Sequence, residues 1–244
     1  MSFIKEILGR IFAVWAMLIF IITMLPVVLI MWAIGLLKEP KRTAVFRLVS
    51  RAWMSFFFFL IGCRLKIEGK ENFKKGTTYI IISNHNSLMD VPITTPFIPG
   101  PNKTIAKIEM SRIPLFGMIY KRGSVLVDRK DKDSRRDSFR KMKEVIDMGI
   151  HMCIYPEGTR NKTNLPLKDF HNGAFRLAVE TGTPLLPAIM FNTKKALPPD
   201  KTFFFWPTKF RIHFLPAITV TEADDHEKLK QDMYELMSSY YISH

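Results

Sequence analysis

Cysteine is scarce in this 244-residue chain: there are two, Cys63 and Cys153, both in apolar surroundings. That excludes a disulfide-stapled scaffold and suits a reducing compartment. Acidic residues are few as well, with 22 Asp and Glu against 36 Lys and Arg, a formal charge of +14. The imbalance points to anionic partners. No Cys spacing and no clustered His resembles a metal site, so no metal is expected. Nor does a helix-turn-helix, zinc-finger or RNA-binding signature accompany the charge, so nucleic acid is not an expected partner. With 12 Gly, 15 Pro and 48% hydrophobic residues, the chain is neither collagen-like nor disordered. It is long enough for one sizeable core, or one domain with an appendage.

Charge is missing altogether from residues 11–37, 27 in a row. As a helix they would be roughly 40 Å long, and ~18–20 apolar residues suffice for a membrane segment. A secretory signal has a shorter apolar core and a small-residue cleavage site. Here the run continues into Lys38-Glu39-Pro40-Lys41-Arg42, and cleavage is not expected. Pro26 removes a backbone hydrogen bond mid-run and should bend the helix. Val45, Leu48, Val49, Ala52, Trp53 and Phe56 then recur at helical spacing, with Arg47 and Arg51 on the opposite face.

Two buried core helices would also give this pattern. A run apolar all round, followed by four consecutive phenylalanines at 56–59, favours lipid. Lys38, Lys41, Arg42, Arg47 and Arg51 outweigh Lys5 and Arg10, which places the following domain on the cytoplasmic face of the cell (inner) membrane. Because both flanks are basic, the preferred reading is a helical pair sunk into one leaflet, with a single span as the alternative. Residues 1–62 are therefore expected to form a membrane-anchoring pair and residues 63–244 one further domain, with Gly62 at the boundary.

Beyond Gly62 short apolar runs alternate with amphipathic segments. Strands are predicted at 65–67, 79–83, 104–108, 124–128, 151–155, 185–190 and 210–215, and helices at 88–96, 113–121, 134–148, 173–181 and 223–239. The alternation predicts an α/β fold, a mixed sheet flanked by helices behind the two-helix anchor.

Chemistry-bearing residues gather where predicted strands end, as they do in α/β folds. The strand 79–83 runs into Asn84-His85-Asn86-Ser87-Leu88-Met89-Asp90. Asn86 or Ser87 is expected to cap the next helix. Residues five apart on a straight helix do not meet, but a turn would bring Asp90 to His85. Asp90 could then accept the Nδ1 proton and leave Nε2 free as a base. Alone, such a pair is ordinarily structural. It is accompanied by Tyr155-Pro156-Glu157-Gly158-Thr159-Arg160 at the end of another strand. Ala106-Lys107-Ile108-Glu109-Met110, the stretch from Gly123 to Asp128-Arg129, and Gly182-Thr183-Pro184-Leu185-Leu186-Pro187 complete the set.

His85 and Asp90 match the histidine-x4-aspartate motif of the glycerolipid acyltransferases, and 157–160 matches their Glu-Gly-Thr-Arg motif. Residues 123–129 and 184–187 resemble the second and fourth blocks of that family, in order. Val127-Asp128-Arg129 stands where the family usually has Ile-Asp-Arg. The resemblance covers roughly residues 67–189 and is strongest to the lysophosphatidate acyltransferases. It implies transfer of a fatty acyl group from an acyl thioester to lysophosphatidate, giving phosphatidate in phospholipid synthesis. The donor would be acyl-CoA or acyl-acyl carrier protein as co-substrate, with no cofactor, and the other partner is the phospholipid bilayer. The shared motifs leave glycerol-3-phosphate or another lysophospholipid open as acceptor, and outside catalysis a non-catalytic phospholipid-binding membrane protein.

The chemistry fits. Attack on a thioester needs the acceptor hydroxyl deprotonated as it adds, and His85 can act as general base while Asp90 fixes its tautomer. The thioester is already activated, so no enzyme nucleophile is needed; a route through Cys153 would require an accessible, electropositive thiol. The acceptor's phosphate calls for cations. Arg160 is the first candidate, then Arg129, and Lys107 is implied by the family's Ala-Lys-x-Glu element. Glu157 is expected to order Arg160 or the acceptor's glycerol, or else to sit in a structural salt bridge. Gly158 permits close backbone approach, and the motif match counts it and Thr159 among the residues expected to bind the acceptor's phosphate or glycerol. His171 is placed near the site entrance at most, and His213 and His226 are read as structural or exposed. Residues 121–143 hold ten Lys or Arg against four Asp. They read as a solvated helix face or as a docking surface for anionic headgroups or an acidic acyl donor.

Overall fold

The computed structural model describes residues 3–244. Two long helices come first, α1 (Phe3–Ile34) and α2 (Lys41–Leu60). The sheet strands are β1 (Arg64–Glu68), β2 (Ile80–Ser83), β3 (Asn102–Lys107), β4 (Ser124–Val127), β5 (His151–Ile154), β6 (Leu185–Phe191) and β7 (Lys209–Phe214). Between and after them run α3 (Asp90–Thr94), α4 (Phe116–Gly123), α5 (Lys132–Asp147), α6 (Gly173–Thr181), α7 (Thr193–Ala196) and α8 (His226–Ser243).

The sheet order is β1-β7-β6-β2-β5-β3-β4. β6, β2, β5, β3 and β4 are parallel; β7 pairs antiparallel with β6 and parallel with β1. Alternation along the central strands fills two layers, because successive side chains point to opposite faces. Ile81, Cys153 and Leu186 join a cluster with Met31, Trp53, Phe57 and Phe58 of the first two helices. Ile80, Ile82, Met152 and Ile189 join the opposite cluster with Met142, Phe175 and Met233 of α5, α6 and α8. Both faces of these strands are covered, which is why they read as continuous apolar runs.

The first two helices therefore have one face in the core. Trp53 Nε1 donates to Thr23 Oγ1 at 2.9 Å, and Trp15 Nε1 to the Leu60 carbonyl at 3.1 Å, tying the pair together. Their other face is bare and apolar, with Ile11, Leu18, Ile22, Leu29 and Phe59 exposed. Both helices are long and apolar enough to cross a membrane. α1 is continuous through Pro26 and starts well before the uncharged run, taking in Lys5, Glu6 and Arg10. Gly62 lies between α2 and β1 with φ +70, a left-handed conformation that glycine adopts without a Cβ penalty.

Between the helices, Glu39 is locked by several donors. It accepts from Lys103 Nζ and Arg42 Nη2 at 2.8 Å, from Thr43 Oγ1 at 2.7 Å and from the Thr43 amide at 3.1 Å. Burial pushes its pKa up, but the bonds from Lys103, Thr43 and Arg42 outweigh burial and hold it at about 2. A depressed carboxylate contributes stability above its unfolded pKa and loses it as pH falls through the folded value. Glu39→Gln is expected to destabilise the fold by about 2 kcal/mol at neutral pH. The gap in melting temperature to wild type should close as pH drops from 4.5 towards 2. A gap of constant size over that range would contradict the assignment.

Three of the ten basic residues of the stretch 121–143 are paired with carboxylates within the fold. On α5, Arg140 pairs with Asp137 and Glu144, Lys141 with Asp137, and Lys143 with Glu180. Arg135 Nη1 donates to the Arg129 carbonyl at 2.7 Å. α5 begins ahead of the predicted 134 because the Asp131 carboxylate caps it, accepting from the Asp133 and Ser134 amides.

Candidate active site

The site lies at the carboxyl ends of the parallel strands. Leaving β2, the chain is pinned to β6: Asn84 Oδ1 accepts from the Met190 amide at 2.8 Å, and its Nδ2 donates to the Met190 carbonyl at 3.0 Å. Asn84 is fully buried. The next residue, His85, is clamped by the loop after β5. Its amide donates to Glu157 Oε1 at 2.6 Å, and its carbonyl accepts from the Asn161 amide at 2.6 Å.

Asp90 opens α3, and its carboxylate turns back over the preceding turn. Oδ2 accepts from His85 Nδ1 at 2.8 Å, from the Asn86 amide at 2.5 Å and from the Ser87 amide at 2.7 Å. Two fixed N–H donors hold the carboxylate so that His85 Nδ1 must carry the proton it donates. Nε2 then keeps its lone pair and makes no hydrogen bond among the described residues. Asp90 is wholly buried, and the His85 side chain keeps 19% of its surface exposed. The predicted turn thus brings the pair together. The predicted cap does not form: neither Asn86 nor Ser87 caps α3 with its side chain. Ser87 Oγ donates to the Leu197 carbonyl at 2.9 Å and accepts from the Met89 amide at 3.3 Å, one residue ahead of the helix.

The loop after β5 places the remaining motif. Glu157 is buried, and its oxygens are taken by the His85 amide and by the Lys168 amide at 2.9 Å. It makes no ion pair with Arg160, so the expectation that Glu157 orders Arg160 gives way to a different role, holding the His85 backbone. Burial pushes its pKa up against the pull of those amides. Gly158 has φ +68, and a Cβ there would lie 2.7 Å from the His171 ring; this is where His171 meets the site. Thr159 Oγ1 accepts from Lys168 Nζ at 2.7 Å.

Arg129 reaches across from the end of β4 and donates to the Gly158 carbonyl. Asp128 accepts from the Lys130 amide instead of pairing with Arg129. Lys107 ends β3, exposed. Arg160 is half-buried, and like Lys107 it forms no hydrogen bond or ion pair among the described residues. Arg129 and Lys168 rest on neutral oxygens, so their charges also stay open to an anion. His213 contacts the Tyr240 hydroxyl, and His226 is 3.7 Å from Glu227; both lie outside the site.

Cys153 is wholly buried, and burial pushes its thiol up to about 12. At neutral pH it is a neutral thiol packed on the side of the first two helices, without the setting a nucleophile needs. Among the described residues no group of three or more His, Cys, Asp or Glu could hold a metal.

Three side chains went unmarked by sequence. Lys168 sits in a polar loop without periodicity. Lys194 of α7 donates to the Thr163 carbonyl at 2.9 Å; burial lowers its pKa while the charges of Glu157 and Asp90 raise it. Tyr241 of α8 stacks on Phe191 with ring centroids 5.3 Å apart; burial and then the Asp90 charge raise its pKa. Each arrives through a crossover, and no local pattern could announce it.

The acyltransferase family model matches residues 64–191, a span containing every motif above. The 1-acyl-sn-glycerol-3-phosphate acyltransferase of Borreliella burgdorferi is 29% identical over 182 residues, covering 74% of this chain and 72% of its own length. The protein of the same name from Helicobacter pylori is 29% identical over 196 residues, 80% of each chain. That from Cocos nucifera is 30% identical over 189 residues, 76% of this chain but 59% of its own. Among solved structures, the crystal structure of the 1-acyl-sn-glycerophosphate (LPA) acyltransferase PlsC from Thermotoga maritima aligns with a TM-score of 0.77 at 23% identity. The alignment covers 98% of this chain and 96% of that one. At that identity the likeness concerns the fold, including the two N-terminal helices.

Proposed function

This chain belongs to the acyltransferase family, and from that premise we propose that it transfers a fatty acyl group from an acyl thioester to the free hydroxyl of lysophosphatidate, giving phosphatidate. The observation that carries the reading is the His85–Asp90 pair with Nε2 left open. Its support is the set of relatives named for that acceptor. Arg160, Lys107, Arg129 and Lys168, none paired with a carboxylate, suit the acceptor's phosphate.

Nε2 of His85 takes the hydroxyl proton as the oxygen adds to the thioester carbonyl. The tetrahedral adduct collapses with loss of the thiolate, which receives that proton from the imidazolium. One C–O bond forms and one C–S bond breaks, with no acyl-enzyme between. The Asp90 carboxylate balances the imidazolium while it exists. Glu157, Gly158 and Thr159 shape the loop that holds His85 and presents Arg160. The exposed apolar faces of the first two helices suit a bilayer, and we place them in its cytoplasmic leaflet, as residues 1–62 anchoring the catalytic domain 63–244. The donor is acyl-CoA or acyl-acyl carrier protein.

Purified protein with a palmitoyl thioester should acylate lysophosphatidate and leave glycerol-3-phosphate and lysophosphatidylcholine unchanged. Product from glycerol-3-phosphate alone would keep the chemistry and overturn the acceptor. Arg160→Ala is expected to raise the acceptor KM about 10-fold or more, the scale of one lost charged hydrogen bond, with little change in kcat. A rise in the donor KM alone would move Arg160 to the donor site.

A further inference from the structure

Tyr155, the first residue after β5, touches His85 and reaches Asp90 through one intermediate, Thr94, and the motif match does not ask for that. Its ring lies on the His85 imidazole, with centroids 4.7 Å apart and planes tilted by 35°. Its hydroxyl donates to Thr94 Oγ1 at 3.1 Å. Thr94 Oγ1 in turn donates to the backbone carbonyl of Asp90 at 2.5 Å, one turn back along α3. Thr94 is wholly buried and also touches Met190 Sδ. One side chain just past β5 thus braces the imidazole with its face and, through Thr94, the aspartate's backbone with its hydroxyl.

We propose that Tyr155 is a positioning residue for acyl transfer, which fixes His85 by ring contact and Asp90 through Thr94. The proposal rests on the reading of His85 as general base. Two consequences follow from the geometry. The imidazole becomes cationic during the reaction, and an aromatic face beside it favours that form. The Nδ1–Oδ2 bond needs both partners held, and Tyr155 is where their supports meet. A phenylalanine would supply the first contact without the second. The hydroxyl stays a donor: burial, with the Asp90 charge behind it, pushes its pKa well above that of free tyrosine.

Tyr155→Phe and Thr94→Val each cut the same path to Asp90 and leave the ring in place. Each should lower kcat about 3- to 10-fold, the scale of one buried hydrogen bond, with the lysophosphatidate KM within about 2-fold of wild type. The double variant should lose no more than the worse single, because both act on one path. Tyr155→Leu removes the ring and should also shift the acidic limb of the kcat/KM profile to lower pH, since the imidazolium loses its aromatic neighbour; Tyr155→Phe should leave that limb in place. Single variants within 2-fold of wild type in kcat, or losses that multiply in the double, would overturn the path to Asp90. An unmoved limb in a folded Tyr155→Leu protein would overturn the ring's role. His85→Ala, assayed alongside, separates the failures: if it stays active the base assignment falls, and if it is inactive while the Tyr155 and Thr94 variants behave as wild type only the positioning role falls.

Discussion

His85→Ala is expected to lower turnover by ~10² or more, the usual contribution of a positioned general base, while the protein melts as wild type does. The side chain makes one hydrogen bond, to Asp90, and is partly open to solvent. The clamps on residue 85 are made by its backbone, to Glu157 and Asn161. Alanine keeps that backbone, so the fold has little to lose and the chemistry has its base to lose. More than about a tenth of wild-type activity in the variant would remove the general-base role, because a ~10²-fold contribution could not then reside there.

Asp90→Asn is expected to lower kcat on the order of 10²-fold, because the imidazolium that forms in the reaction loses the carboxylate that balances it. One oxygen, Oδ2, accepts from His85 Nδ1 and from the Asn86 and Ser87 amides alike, and Oδ1 has no partner among the described residues. Asparagine is the same size. Its oxygen takes the Oδ2 place, since an NH₂ there would meet two amide donors, so the turn and the Nδ1–H bond are kept and the negative charge alone is lost. A loss below 10-fold would show that Asp90 acts only as a structural anchor for the turn.

All seven strands could be read from the sequence: the central β2, β5 and β6 are continuous apolar runs covered on both faces, and β1, β3 and β7 alternate with period two. Helix ends were less legible. α5 and α8 begin where Asp131 and Asp225 cap them, whereas periodicity marks only where apolar residues start and stop. Lys5, Glu6 and Arg10 hid the start of α1, since charge reads as an end to an apolar run even where the helix continues.

The dyad was legible because spacing and motif coincide in one short segment. The role of Glu157 was not. Its partners, the amides of His85 and Lys168, are backbone groups, and backbone leaves no mark in sequence. Arg129 was named through the motif, but its seat on the Gly158 carbonyl needs β4 and β5 side by side with only β3 between them. Lys168, Lys194 and Tyr241 are brought in by loops and crossovers whose course no local pattern fixes.

Direct transfer to lysophosphatidate through His85 is tested most directly by following thiol release and phosphatidate together. Wild type and His85→Ala would be incubated side by side with a palmitoyl thioester, with and without lysophosphatidate. The account predicts one thiol released per phosphatidate formed, in the wild type alone and only when the acceptor is present. Phosphatidate formed equally by both proteins, or a burst of thiol release from the wild type without acceptor, would contradict it.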